Sequence, residues 1–438
     1  MPDGASTVGL YHPKLLTVMR EGYRLADLKK DAAAGLTVAV VALPLSMAIA
    51  VASGVSPGRG LYAAIVGGFV VSLLGGSRVQ IGGPAGAFIV LVAATAARFG
   101  VEGLLTAVLL SGAMLTLLGV LRLGSLVRHI PHAVTVSFTC AIAVTIGASQ
   151  LKDLGGLRLH RAEPGPLIPK LMVLERALHT LNPAALAVGA VVVAAILLLR
   201  RLRPGWPGML IAVGLGSLAA GLLALPVETV ASRFGGLPRG LLAPHLPALT
   251  WPFVLQMFPA ALSFTLLGAV ESLLSAKVAD GMTGRRHRSN MELVAQGAAN
   301  IVSAVFGGIC VTGTIARTAT NVRAGARSPV AGMLHSGFLL VFMLAAAPLA
   351  GYVPLAALAG VLLVVSWNMA ERAEFARLLR QWPTAAVVLT TFALTVLRDL
   401  TAGITAGCVV AGILALVRRP VQAEGDGDTP ADVPGHRQ

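Results

Sequence analysis

The sequence predicts an all-α polytopic membrane protein of about 14 transmembrane segments. Three observations predict it. First, 56% of the 438 residues are apolar, only 12% are charged, and the mean hydropathy is +0.81. A soluble chain is about 45–50% apolar with glycine included, and about 25% charged; here 50 glycines come on top of the apolar fraction. At about 20 residues per membrane helix, there is material for roughly twelve to fifteen spans. Second, the apolar residues fall into runs separated by charged or Pro/Gly breaks. Third, Lys and Arg partition between alternate connections. A soluble enzyme, a disordered chain and a secreted disulfide scaffold are excluded.

The runs lie near 33–51, 60–75, 84–97, 103–121, 132–149, 184–199, 206–225, 254–277, 291–306, 314–322, 330–350, 354–369, 384–397 and 402–417. Two of them, 84–97 and 314–322, are too short to cross about 30 Å of hydrocarbon as helix alone. Residues 1–31 carry Lys14, Arg20, Arg24, Lys29 and Lys30 but no apolar core. They read as a retained cytoplasmic segment, not a signal peptide. The membrane domain then occupies 32–419. An acidic, Gly/Pro-rich tail at 420–438 reads as disordered and cytoplasmic. Residues 152–180 form the longest polar connection.

With the N-terminus inside, 23 of the 34 Lys and Arg fall in inside segments and 10 outside. That bias supports a location in the inner (plasma) membrane with both termini cytoplasmic. The net charge of +15 is therefore mostly topology, and a nucleic-acid role has no support. Arg317 is the one basic residue left over, inside a span. Cys140, Cys310 and Cys408 lie in apolar stretches with no short spacing, which excludes a metal or disulfide reading. No cofactor motif, Walker loop or nucleophile triad is present, so neither a pump nor an enzyme is expected.

An internal repeat follows. Residues 71–90 read VSLLGGSRVQIGGPAGAFIV, and 302–322 read VSAVFGGICVTGTIARTATNV. Each has a helix ending in Val-Ser-x-x, a Gly-Gly break, a short extended piece and a new helix start. They sit at spans 3 and 10, an odd offset, so the copies have opposite orientation. Short, Gly/Pro-interrupted spans at matching places in two inverted halves point to a transporter's midplane site.

These motifs make the chain recognisable. The stretch 33–88, AAGLTVAVVALPLSMAIAVASGVSPGRGLYAAIVGGFVVSLLGGSRVQIGGPAGAF, resembles the opening of the SulP (sulfate permease) family of anion transporters. GAVESLLSAKVADGMTG at 268–284 and FGGICVTGTIARTATNVRAGARSPVAG at 306–332 resemble its eighth and tenth spans. The resemblance covers about 30–420. It implies a seven-plus-seven inverted repeat, with a core (spans 1–4 and 8–11) moving against a gate (spans 5–7 and 12–14). It implies transport of a small anion such as sulfate, bicarbonate or a dicarboxylate, and it allows a homodimer. Family members usually carry a cytoplasmic STAS domain after the last span. About twenty residues follow Val417 here, too few for any domain, so a membrane domain without it is expected.

Four features carry the expected chemistry. The two half-helix starts come first. Gly83 and Pro84 precede one, with Ala85, Gly86 and Ala87 in its first turn; Pro84 suits that position because its missing N–H goes unused there. Gly313 and Thr314 precede the other, which opens at Ile315. Uncapped N–H groups and a positive dipole end at each start attract an anion. Arg317, in the first turn of the second half-helix, adds a permanent cation. Glu271 is the one acid well inside a span, with Ser275 one turn on along the same face. It is the expected proton-coupling residue. Ionised, it would pair with Arg317; protonated, it would free Arg317 for the anion. Relatives that use sodium carry aspartate and threonine at these two positions, so Glu271 and Ser275 favour a proton. Lastly, the resemblance places Leu45, Ser46 and Ile49, beside Pro44, against the substrate.

The alternatives are an uncoupled chloride/bicarbonate exchanger or anion channel, sodium-coupled bicarbonate uptake, a nucleobase-type transporter and a non-transporting scaffold. His132 and His335 read as satisfied structural histidines. Arg285, Arg286, His287 and Arg288 read as an anchor to anionic headgroups of the lipid bilayer.

Overall fold

The computed structural model describes residues 11–124, 131–159, 163–164, 166–238, 240–247, 249–398 and 400–417. Residues 1–10 and the whole expected tail lie outside these. The described chain is helical almost throughout. A surface helix, α1 (Lys14–Arg20), leads into α2 (Leu25–Ala52), which runs unbroken through Pro44. Then come α3 (Pro57–Tyr62) and α4 (Gly68–Leu74), joined by one π-helical stretch at Ala63–Gly67. After a two-residue strand β1 (Gly82–Gly83) and a 3-10 turn (Gly86–Phe88), α5 (Ile89–Val120) follows. Next are α6 (His132–Leu154), α7 (Leu167–Arg176), α8 (Pro183–Leu202), α9 (Gly208–Leu222) and α10 (Val230–Phe234). The second half holds α11 (Trp251–Thr283), α12 (Ser289–Val305), β2 (Thr312–Gly313), α13 (Ile315–Arg323) and α14 (Val330–Ala350). It ends with α15 (Leu355–Met369), α16 (Arg372–Leu379), α17 (Thr384–Leu397) and α18 (Leu400–Val417).

Each expected apolar run lies on helix, and among the described residues seven helical stretches are long and apolar enough to cross a membrane. The protein is an all-α polytopic membrane protein. The runs 84–97 and 103–121 lie on two helices that meet within α5 at the non-helical Gly100 (φ 70°, ψ −174°), a conformation that glycine alone adopts freely. The short helices α1, α7, α10 and α16 were not among the expected runs. Inside the 152–180 connection, the buried Lys170 on α7 pairs with Glu163 at 2.9 Å and with the Ser149 hydroxyl.

The helices pack in two groups. One contains α2, α3, α4, α5 and α11 to α14, with α12 laid along α5 and α14 along α2. The other contains α6, α8, α9, α15, α17 and α18. Glycine permits the closest approaches, because a Cβ on Gly35 would lie 2.5 Å from the Ala331 carbonyl oxygen. The two sequence breaks meet inside the first group. Gly82 stands opposite Gly313 and Gly83 opposite Thr312, in a two-stranded antiparallel ladder.

Candidate functional site

Polar side chains of α12 hold both breaks open. Glu292, fully buried in the first turn of α12, accepts from the backbone N–H groups of Gly76 and Ser77 at 2.9 and 3.1 Å. It also accepts from Gln296 Nε2 at 2.9 Å. Two turns further on, the Asn300 amide donates to the Val311 carbonyl at 2.7 Å and accepts from its N–H at 2.8 Å. Ser303 donates to the Ile309 carbonyl at 2.7 Å. The backbone polar groups of the breaks are thus satisfied without helix, as irregular backbone at membrane depth requires.

The ladder is extended by side chains of α13. Thr314 N–H donates to the Ile81 carbonyl at 3.1 Å, and Ile81 N–H donates to the Thr318 hydroxyl at 3.1 Å. Asn321 Nδ2 donates to the Val79 carbonyl at 2.9 Å. On the α11 side, Gln80 Nε2 donates to the Ser272 carbonyl at 3.2 Å, and the Ser272 and Thr312 hydroxyls are 2.8 Å apart.

Arg317 is the third residue of α13 and only 2% exposed. Its Nη2 donates to Ser46 Oγ at 3.1 Å and to the Pro84 carbonyl at 3.3 Å. Nε and Nη1 are buried with no hydrogen-bond partner, and no described carboxylate lies within 4.0 Å of the guanidinium. Gly83 makes its room, because a Cβ there would sit 2.0 Å from Nη1. Gly60 lets α3 close on the same spot, at 2.1 Å from its virtual Cβ to the Ser46 carbonyl oxygen.

Both helix starts lack side-chain caps. Thr314, at the N-cap of α13, turns its hydroxyl toward the Ile81 carbonyl at 3.5 Å instead of the first-turn N–H groups. Ala85 precedes the 3-10 turn and offers no cap. Gly86 and Ile315 are half-buried, while Gly83, Pro84, Ala85, Ala87, Gly313 and Thr314 are buried around them. The Gly86 virtual Cβ comes 3.3 Å from Ile146 of α6, so the first start abuts the second helix group.

The predicted residues thus divide. Ser46, Gly83, Pro84 and Arg317 touch one another directly. Leu45 and Ile49 are buried on the same helix as Ser46. Ser275 is buried and donates to the Thr318 hydroxyl at 3.3 Å, one residue beyond Arg317. Glu271 is half-buried one turn away, with no side-chain partner among the described residues.

Three expectations are corrected. Pro84 does not open a helix. Ala85 is extended (φ −115°, ψ 145°), because the β ladder draws the chain straight, and helix begins at Gly86. Glu271 and Arg317 form no ion pair in this structure. His335 is incompletely satisfied: it is fully buried, neither ring nitrogen meets a partner at full hydrogen-bond geometry, and the Gly35 backbone offers a weaker contact. His132 does find a partner, Glu374 at 3.0 Å.

Sequence reasoning missed Gln80, Ser272, Thr318 and Glu292. The available signal was polarity: Gln80 and Thr318 are uncharged polar residues inside the repeated motifs, where no lipid-facing role suits them.

A family model described as the sulfate permease family matches residues 28–392. The Bacillus subtilis protein YvdB, whose name is that of a sulfate transporter, is 42% identical over 406 residues, covering 92% of this chain and 76% of YvdB. The bicarbonate transporter BicA of Picosynechococcus is 31% identical over 409 residues, covering 90% of this chain and 71% of BicA. The solved transmembrane domain of a cyanobacterial bicarbonate transporter BicA superposes with a TM-score of 0.78 at 30% identity, covering 87% of this chain and 98% of that one.

Proposed function

On the premise that this chain belongs to the sulfate permease family, we propose that it is a secondary transporter of sulfate, bicarbonate or a dicarboxylate across the inner membrane. One observation carries the reading: a buried guanidinium with two unpartnered nitrogens stands where two uncapped helix starts meet. An isolated buried charge is penalised by several kcal/mol unless an opposite charge neutralises it. No carboxylate among the described residues does this, so the neutralising group is the cargo.

The two breaks belong to inverted halves of seven spans each, and their antiparallel ladder supports that reading. The group containing α2 to α5 and α11 to α14 acts as the core. It carries the anion past the second group by alternating access. Ser46, Gly83, Pro84 and the first turn of α13 hold the anion beside Arg317, with Leu45 and Ile49 behind Ser46. Glu271 couples transport to a proton. It has no donor among the described residues, and it lies one turn from Ser275, whose hydroxyl reaches the residue beside Arg317. A negative charge there weakens anion attraction through a low-dielectric interior without direct contact. Protonation removes that charge, so anion and proton load together.

The test is uptake of radiolabelled sulfate, bicarbonate and succinate into proteoliposomes. Arg317→Gln removes charge-assisted hydrogen bonds of about 1.5–3 kcal/mol each. Uptake of the transported anion should fall by about 100-fold at low concentration. An unchanged KM for all three anions in a folded R317Q sample sinks the assignment.

A further inference from the structure

A second basic feature lies away from the candidate transport site. The turn after α4, the end of α11 with its following loop, and the turn after α13 enclose a cleft of about 440 Å³. That volume is in the range of ligand clefts, about 300–1,000 Å³. Arg78, Arg285, Arg286 and Arg327 line it with Asp280 and His287. These residues come from three separate segments, so the fold assembles the cluster.

The acids nearby are already engaged. Asp280 Oδ2 accepts from the His287 ring at 2.6 Å and from the His287 N–H at 3.1 Å. Arg78 pairs with Glu21, and Arg327 with Asp27 at 3.2 Å. Arg285 and Arg286 make no hydrogen bond or ion pair with any described residue. The surroundings report excess positive charge. Lys14 is pushed below the ordinary lysine range by burial, then by the charges of Arg288 and Arg78. Arg288 is pushed down by burial and by Arg78. Glu21 is held below the ordinary carboxylate range, first by its hydrogen bond from Arg78; burial opposes this, and the charges of Arg78 and Arg285 add to it.

The chemistry narrows the occupant. Guanidinium forks match the oxygens of a phosphate group. No Phe, Tyr or Trp is among the lining residues, and the one ring there, His287, is held by Asp280. The cleft lies at the end of α11, a helix long and apolar enough to span a membrane, whose last residue Thr283 is among the lining. That place, where anionic headgroups meet basic side chains, suits a phosphate that arrives attached to acyl chains.

We propose that this cleft binds a phosphate group, and that its occupant is the headgroup phosphate of an anionic phospholipid. The phosphate bridges Arg78, Arg285, Arg286 and Arg327. It thereby clamps the turn leading into β1 to the turn leaving α13, the two backbone segments that frame the candidate anion site. The binding does not depend on which anion is transported, or on transport itself.

The experiment follows thermal unfolding of the full chain in detergent with added phosphatidylglycerol, phosphatidylcholine or inorganic pyrophosphate. Phosphatidylglycerol should raise the unfolding temperature and phosphatidylcholine should not. The double variant R285Q/R286Q should weaken the apparent affinity at least about tenfold, whereas R317Q should keep the full shift. A shift with pyrophosphate but not with phosphatidylglycerol, lost in the double variant, overturns the lipid occupant and assigns a soluble phosphate. An equal shift in the double variant, or none with either probe, overturns the site. Native mass spectrometry of the unmodified chain needs no variant: preferential retention of phosphatidylglycerol over phosphatidylcholine supports the proposal, and equal retention overturns it.

Discussion

Replacing Gly83 with alanine should damage anion binding far more than folding. The new methyl would sit 2.0 Å from Arg317 Nη1 and 3.1 Å from Cζ, while its next neighbour, Ala64 Cα, is at 3.7 Å. The strain therefore falls on the guanidinium and not on the backbone. To reach the 3.4 Å at which ordinary contact begins, Nη1 must withdraw by about 1.4 Å. Nη2 bonds Ser46 Oγ at 3.1 Å and the Pro84 carbonyl at 3.3 Å, so a shift of that size breaks at least one of these bonds. It also moves the charge off the helix starts. Losing one or two charge-assisted contacts to the anion, at about 1.5–3 kcal/mol each, raises KM by about 10- to 100-fold or more. Gly214→Ala on α9 is the control, because nothing lies within 4 Å of its added methyl and it is outside the site. Its KM should change by no more than about twofold. The assay is saturable uptake into proteoliposomes, with a thermal melt of each variant to check folding. A wild-type KM for G83A, or an equal rise in G214A, refutes the reasoning.

Two further outcomes test the surroundings of the site. Glu271→Gln should abolish acceleration of uptake by an imposed acid gradient while leaving gradient-free exchange in place; paired uptake measurements with and without the gradient decide this, and a gradient response in E271Q ends the coupling role. Glu292→Ala strips the acceptor from two buried N–H groups at Gly76 and Ser77, at about 1–3 kcal/mol each; a melt indistinguishable from wild type would show that Glu292 does not hold the first break.

Most of the fold was legible because hydrophobic runs are local information. Each run landed on helix. What the sequence concealed was contact between distant segments. Glu292 follows a basic cluster closely and reads as a residue near a loop. It is buried because the Gly76–Ser77 turn, more than 200 positions away, folds over it. Pro84 followed a sound local rule for helix starts, yet pairing of β1 with β2 kept the chain extended past it. In both cases a tertiary partner outweighed the local preference.

The distribution of acids then explains why Arg317 stays unpaired. Asp31 accepts from the Tyr23 hydroxyl at 2.9 Å, the Arg327 N–H at 2.7 Å and the Ser328 hydroxyl. Glu292 accepts from two backbone groups and an amide. Each is held by several donors and committed to shape. Glu271 is different: no described side chain or backbone group donates to it. A carboxylate with no donors gains most from taking up a proton, and a guanidinium with no carboxylate gains most from taking up an anion. The two unmet demands sit on α11 and α13: Glu271 is one turn from Ser275, whose hydroxyl donates to that of Thr318, the residue after Arg317. Meeting either one favours meeting the other, since a neutral Glu271 leaves Arg317 to the anion, and a bound anion makes a charged Glu271 unfavourable. On the proposed reading, charge balance alone couples proton and anion, with no need for Glu271 and Arg317 to touch.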